Sequence, residues 1–367
     1  MTSLKTPTGK SGADVESQLR AIEREGGDGE VQLGRGATLH VSNLAKQFFE
    51  NGVTKGAVMR YYARIWPAIE RHVKDRPLVL KRYPDGADGP MFFQQNAGAH
   101  VPDVVRVETF DTREEGPKPR IIGGDLTTLL YTVQLGSIEV HPWLSRVCDI
   151  DSADCCLIDL DPGDDVPFSA AVALARDVLQ IVRQCKLPAA VKTSGSSGIH
   201  LVIPLPPKTM YDTSARLAML IARVVAAHRP QHATVERSLR ARPAGTIYVD
   251  AMQNARGKSM ACAYSVRARE GATVSAPLRE RELTARLRTS AFSVKTMPAR
   301  VARAGDVWGE ALAAKTTKQA LTNAMKVLEQ VLDDAPAAEE PPRGQKRSRG
   351  GGEGAEPTAG RRGARRA

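Results

Sequence analysis

Residues 156–162 read Cys-Leu-Ile-Asp-Leu-Asp-Pro, and this stretch decides the fold. Leu157, Ile158 and Leu160 form the apolar run of a buried strand, and Pro162-Gly163 stops it. Strand side chains alternate between faces, so Asp159 and Asp161 leave the same face where the strand ends. Two carboxylates held that close resist double ionisation unless a cation lies between them. Thr-Ile-Tyr-Val-Asp at 246–250 has the same grammar and delivers Asp250. Strands that bury apolar residues and present acids at their ends build sites in the crevice of an α/β sheet. The three acids predict an oxygen-rich site for Mg²⁺ or Mn²⁺. Such a layout suits two-ion phosphoryl transfer, with one ion activating the attacking oxygen and the other steadying the leaving group. Phosphodiester chemistry is the expectation.

Working outward, residues 193–200 read Thr-Ser-Gly-Ser-Ser-Gly-Ile-His, between strands expected at 189–193 and 199–203. Glycines let backbone N–H groups approach an anion, so Ser194, Ser196 and their neighbours form a candidate triphosphate cradle, with His200 as a donor. The same segment also reads as a plain turn before a half-buried histidine. Lys81-Arg82 and the pair Phe92-Phe93 flank a Pro-Asp-Gly turn. Paired aromatics beside cations stack on an unpaired base, or else divide between core and surface.

Thr54 caps a helix expected over 55–73, with Val58, Tyr62, Ile65 and Ile69 on one face. Further helices are expected at 125–139, 168–186, 212–228 and 315–332. Ala171, Leu174, Val178, Ile181 and Val182 form the apolar stripe of the second of these. Strands are expected at 78–83, 155–160, 246–250 and 259–266. This alternation predicts α/β layers around a mixed sheet. Residues 1–30 read as a flexible leader, 31–300 as the catalytic domain, 301–334 as a helical extension and 335–367 as a disordered basic tail.

The net charge of +11 is unevenly spread. From Arg343 to Ala367, eight Lys/Arg residues face only Glu353 and Glu356, so more than half the excess lies in a Gly/Pro/Arg-rich tail. That tail either contacts phosphates without sequence preference or solubilises the chain. The body is only mildly basic, which permits nucleic acid without demonstrating it. No apolar run approaches a membrane span and no secretory pattern is present, so the expected address is cytoplasmic. Five cysteines, without paired metal spacing, read as buried reduced thiols.

Seven motifs occur in order: Leu-Lys-Arg-Tyr-Pro-Asp-Gly (80–86), Phe-Phe-Gln (92–94), Glu-x-His-Pro-Trp (139–143), Asp-Leu-Asp-Pro (159–162), Thr-Ser-Gly-Ser-x-Gly-x-His (193–200), Val-Asp-x-x-Gln-Asn (249–254) and Tyr-Ser-Val-Arg (264–267). As an ordered set over residues 33 to 300 or so, they resemble the polymerase domain of bacterial ATP-dependent DNA ligase D, within the archaeo-eukaryotic primase superfamily. The resemblance implies a mixed-sheet primase-polymerase core with flanking helices. It also implies template-directed nucleotide addition in double-strand break repair by non-homologous end joining, typically with Mn²⁺ and a preference for ribonucleotides.

Carried onto this chain, the resemblance makes Asp159, Asp161 and Asp250 the metal ligands. Ser194, Ser196 and His200 hold the triphosphate, Lys192, Gln253 and Arg267 lie nearby, and His141 faces the sugar. Phe92 and Phe93 stack on template, Lys81 lies towards the DNA, and Asn43, Lys46 and Lys55 form a pocket for a downstream 5′-phosphate. The chain departs from the family pattern at Ser197, Gln95 and Pro243, where basic residues are usual. No ligase or phosphoesterase motif accompanies the set, so a stand-alone chain acting at the nucleoid is expected. Its implied partners are nucleoside triphosphates, 5′-phosphorylated DNA ends, a Ku-type end-binding protein and a separate ATP-dependent ligase. The alternatives are a primase that starts chains unaided and a non-catalytic protein that bridges DNA ends.

Overall fold

The strand read first, Cys155–Pro162 (β8), lies inside a six-stranded mixed sheet of a computed structural model that describes residues 12–112 and 116–334. Its neighbours are β12 (Ile247–Asp250) and β10 (Ile199–Pro204), both antiparallel to it. Beyond them stand β11 (Ala233–Thr234) on one side, and β9 (Ala190–Thr193) with β13 (Pro277–Leu278) on the other. One face of β8 is wholly apolar, with Ile158 and Leu160 at 0% exposure. Helices α4 (Phe168–Gln184) and α5 (Tyr211–His228) cover that face, and the predicted stripe of α4 is buried against it. The opposite face carries the acids.

A second sheet is built on β3 (Arg76–Arg82), which pairs with β4 (Phe92–Gln94), β6 (Gly116–Gly123) and β7 (Ser137–Pro142); β5 (Val107–Thr112) adds to β6. Helix α2 (Lys55–Val73) packs against α3 (Leu126–Gln134) beside this sheet. The Thr54 hydroxyl accepts from Ala57 N–H at 3.1 Å, and the Asp125 carboxylate caps α3 through Thr128 N–H at 2.6 Å. Val58, Tyr62, Ile65 and Ile69 are all fully buried, as their spacing requires. The helical extension consists of α6 (Met297–Ala304), α7 (Val307–Ala311) and α8 (Lys318–Asp333), which packs on α5 through Leu321, Ala324 and Leu328. Position 300 falls inside α6.

Three expectations need correction. The leader contains helix α1 (Gly12–Arg24), whose Val15, Leu19 and Ile22 pack on α2. It runs into the hairpin β1 (Gly29–Gln32) and β2 (Thr38–Val41). The helix expected over 125–139 stops at Gln134 because Gly136 adopts φ +81°, a left-handed turn that glycine accommodates. The strand expected at 259–266 does not form. Tyr264 turns at φ +68°, and the segment meets its neighbours through the isolated bridges Trp143–Ser259 and Val266–Val274 and through separate bonds such as Cys262 N–H to Val140 O and Tyr264 N–H to Ser275 O, both 2.8 Å, instead of a continuous ladder. The tail proposed over 335–367 and the first eleven residues lie outside the described residues.

All five cysteines are free; Cys148 is exposed and the other four are buried. Burial pushes the Cys156 and Cys262 thiols up to about 12, so they remain protonated packing groups. Among the described residues no helix is long and apolar enough to cross a membrane.

Candidate active site

Register alone assembles the centre of the site. Asp250 on β12 stands opposite Asp159 on β8, Asp159 opposite His200 on β10, and His200 opposite Lys192 on β9. Directly paired residues of antiparallel strands share a face, so these four groups form one row across the sheet. Asp161, two residues on from Asp159, joins the same face.

The row is wired together. Lys192, fully buried, directs Nζ to His200 Nδ1 at 2.7 Å and donates to Ser275 Oγ at 2.7 Å. His200 Nε2 lies 3.4 Å from Asp159 Oδ1. Burial, aided by Lys192 and Arg267, pushes the His200 imidazole well below its usual range, so it is neutral. With Nδ1 accepting from Lys192, the proton sits on Nε2 and faces Asp159. Burial and the nearby Arg267 guanidinium push the Lys192 ammonium down to about 7. Burial, then the charges of Asp161 and Asp250, push the Asp159 carboxyl up to about 7. Burial also raises Asp161, and Asp250 and Asp164 add to the rise while Arg242 opposes it.

This electrostatic cost is the observation that fits a divalent cation. Three oxygen donors of like charge meet on one face, and a cation between them would remove the penalty. As placed, the acids stand in register without converging; among the described residues no three His, Cys, Asp or Glu side chains form a chelating cluster. Asp250 instead accepts from Met252 N–H at 2.7 Å and Tyr248 OH at 3.3 Å through Oδ1, and from Gln253 Nε2 at 3.2 Å through Oδ2.

The loop after β9 depends on its glycines. Gly195 sits at φ +73°, and a Cβ there would come within 2.7 Å of Arg267 Cγ and Ser275 N. At Gly198 it would lie 2.4 Å from Leu160 O. Ser194 Oγ turns inward and accepts from Ser196 N–H at 3.1 Å and Gly198 N–H at 3.0 Å, so this serine shapes the turn while Ser196 and Ser197 face the cleft. Gly195→Ala is therefore expected to cost about 1–3 kcal/mol of stability as the loop is forced away from Arg267 and Ser275; urea melts would check it, and an unchanged midpoint would mean that the loop yields freely.

Facing the row, β7 contributes Glu139 and His141, two residues apart and so on one face. Glu139, 2% exposed, accepts through Oε1 from Lys81 Nζ (3.2 Å), Tyr83 OH (3.0 Å) and Ala268 N–H (3.3 Å). Through Oε2 it meets His141 Nε2 (2.8 Å) and Arg267 Nε (2.9 Å). Burial works against this carboxylate, yet the His141 hydrogen bond, Arg267 and Lys81 hold it well below the usual range. Burial dominates for His141 and lowers its pKa, so the imidazole is neutral and donates Nε2–H, while Lys81 and Arg267 supply the balancing charge. Arg267 also donates through its guanidinium to Ser194 O, tying β7 to the glycine loop.

Between the two walls lies a cleft of about 450 Å³. Its lining brings together Phe93, His141, Asp159, Asp161, Ser194, Ser196, His200, Gln253 and Arg267 from segments scattered over the sequence. Lys192 lies behind this lining, and Asp250 meets it through Gln253. Phe92 and Phe93 are surface residues, 46% and 56% exposed, with Arg82 Cζ 5.2 Å from the Phe92 ring and Lys81 Nζ 5.9 Å from the Phe93 ring.

Asn43, Lys46 and Lys55 also come together, apart from the cleft lining. Lys46 N–H donates to Asn43 O, Lys55 N–H donates to Lys46 O, and Lys55 Nζ donates to Ser42 O at 2.8 Å. Burial, with Lys46 adding to it, pushes the Lys55 ammonium down to about 8 at the start of α2. Sequence reasoning quoted Glu139 in a motif without giving it a role, and missed Lys258 and Arg269. Glu139 was visible in its spacing from His141, whereas Lys258 and Arg269, both exposed and lining the cleft, sit in no recognisable pattern.

Several known proteins resemble this chain. The family described as LigD, primase-polymerase domain matches residues 54–308. The multifunctional non-homologous end joining protein LigD of Pseudomonas aeruginosa is 31% identical over 276 residues, 74% of this chain and 32% of its own length. The bifunctional non-homologous end joining protein LigD of Bacillus subtilis is 30% identical over 269 residues, 73% of this chain and 43% of its own. The chain thus spans less than half the length of these relatives. The polymerase domain of Mycobacterium tuberculosis ligase D, solved in complex with DNA, superposes with a TM-score of 0.69 at 28% identity, covering 75% of this chain and 98% of that one. With Asp250 and Asp159 in register beside a cleft that Asp161, His200 and Arg267 also line, the chain belongs to the LigD primase-polymerase domain family, whose members are nucleotidyltransferases.

Proposed function

We propose that this protein adds nucleotides to a primer 3′-hydroxyl under the direction of a template, filling gaps or extending ends during non-homologous end joining, with ribonucleotides preferred. The observation that carries the reading is the row Asp250–Asp159–His200–Lys192 across the sheet, whose Asp159 and His200 line the cleft. Asp159, Asp161 and Asp250 would hold Mn²⁺ or Mg²⁺, which supplies activation of the attacking hydroxyl and neutralisation of the departing pyrophosphate.

The protein groups do the positioning. Neutral His200 presents an N–H to Asp159, fixed in that tautomer by buried Lys192. Ser196, Ser197 and Arg267 line the wall where a triphosphate enters, and Lys258 and Arg269 add charge at its rim. Exposed Phe93 offers a stacking surface for a template base beside Lys81. The pocket of Asn43, Lys46 and Lys55 at the start of α2 suits a downstream 5′-phosphate, because helix N-termini favour anions. A Ku-type end-binding protein and a ligase activity complete the proposed pathway. No side-chain nucleophile is required, since orientation and charge neutralisation carry the reaction.

The test is primer extension on a short gapped duplex with Mn²⁺, comparing ribonucleotides with deoxyribonucleotides and a downstream 5′-phosphate with a 5′-hydroxyl. Templated addition favouring ribonucleotides and the phosphate is expected. Product on single-stranded template with no 3′ end would instead identify a primase. No addition on any substrate would leave end bridging as the activity.

A further inference from the structure

Two rows of side chains face one another across the cleft, and a single carboxylate belongs to both walls. Lys81 stands opposite Phe93 on β4 and opposite Glu139 on β7, so Phe93, Lys81 and Glu139 form a row across three strands of the second sheet. The two carboxylate oxygens divide their side-chain partners. Oε1 takes Lys81, the cation beside Phe93, and Tyr83, with Ala268 N–H as a backbone donor; Oε2 takes His141, which lines the cleft, and Arg267, which also grips the glycine loop. Glu139 is 2% exposed, so no solvent screens one set of partners from the other.

A buried carboxylate shared in this way cannot be rearranged on one side without altering the other. If the Lys81 ammonium is drawn towards a base or phosphate at Phe93, Glu139 keeps less of its charge compensation from that side. It then bears harder on Arg267 and His141. Arg267 is held between Glu139 Oε2 and Ser194 O, so its position sets the loop.

We propose that Glu139 is a positioning residue that couples occupancy of the Phe93–Lys81 surface to nucleotide binding in the cleft. It touches neither substrate and acts through Lys81 on one side and through His141 and Arg267 on the other. The inference rests on the polymerase reading given above.

The experiment is a double-mutant cycle on nucleotide KM, measured on a gapped duplex with Mn²⁺, using Phe93→Ala and Glu139→Gln. Phe93 is 56% exposed, so its replacement does not threaten the fold. Glu139→Gln alone is expected to raise nucleotide KM about tenfold with kcat changed less than about threefold, as suits loss of charge-assisted contacts that orient binding groups. Phe93→Ala alone is expected to raise KM about fivefold, and the double variant about tenfold, because the route between the sites is already cut. Lys81→Met leaves the carboxylate in place and should reproduce the KM rise, which keeps the proposal testable should Glu139→Gln fail to fold.

A Glu139→Gln enzyme within about twofold of the parent in KM would overturn the coupling, as would multiplicative single effects or a Phe93→Ala variant with normal KM. So would equal falls in kcat, DNA binding and melting temperature, which mark a merely structural group. Absence of extension by the unaltered protein would count against the polymerase reading itself, not against the coupling.

Discussion

Asp159→Asn is expected to lower the rate of primer extension by about 10³-fold while leaving affinity for a gapped duplex within about threefold. Asp159 stands inside the row, with Asp250 on one flank and His200 on the other. Asparagine keeps the shape and the contact with His200 but removes one of the three charges that make the face attractive to a divalent cation. The same substitution should make the ion-free protein more stable. Burial and its acidic neighbours raise the Asp159 carboxyl to about 7, so its neutral form is the one the fold favours. Its favourable contribution is complete below the ordinary carboxylate range and is lost as pH rises towards 7. At pH 8 the charged form costs on the order of 3 kcal/mol after allowance for partial exposure. The variant should therefore melt several degrees above the parent at pH 8 without metal, and the gap should close at pH 4. Added Mn²⁺ should raise the parent more than the variant. Equal melting at pH 8 would show that the acids are not strained against one another.

Arg76→Ala is expected to lower stability by about 3 kcal/mol or more, with nucleotide KM unchanged in the folded fraction. Arg76, 9% exposed at the start of β3, donates to Trp143 O at 3.0 Å and to Asp154 Oδ2 at 2.5 Å. Asp154 immediately precedes β8, so one guanidinium links the second sheet to the strand that carries the acids. Removal takes from Asp154 the closer of its two guanidinium partners, leaving Arg146 Nε at 3.1 Å, and takes a donor from Trp143 O. Arg76→Lys should recover less than half the loss, because an ammonium cannot reproduce the planar fork. Urea melts of the three proteins would decide it; a change under 1 kcal/mol for Arg76→Ala would rule the clamp out.

The acids and their strands were legible because two simple rules coincide there: apolar runs mark buried strands, and alternation fixes which face an acid takes. Register was not legible, and it is register that sets Asp250 against Asp159 and His200 against Lys192. Helix α1 carried a readable signal in Val15, Leu19 and Ile22, masked by the polar residues around them. The end of α3 was readable too, since Gly136 is a helix stop, and the strand after it holds Glu139 and His141. Glu139 owes its importance to Lys81, Tyr83, Arg267 and Ala268, which approach from distant parts of the chain. No local pattern announces a group defined by its partners. The segment 259–266 has strand composition, but the left-handed turn at Tyr264 breaks the ladder that composition favours.

Helix α1 and the β1–β2 hairpin bear on how the protein can be handled. The family match begins at residue 54, yet Val15, Leu19, Val31, Val41 and Leu44 upstream of it are fully buried and belong to the common core. Beyond residue 308, Leu321, Ala324 and Leu328 close over α5 in the same way. A fragment trimmed to the homology limits would come away with raw apolar faces on α2 and α5. Such surfaces stick to one another during expression and yield inclusion bodies or soluble clumps. A fragment for recombinant work and crystallisation therefore has to keep α1, the β1–β2 hairpin and α8 along with the stretch the family match covers.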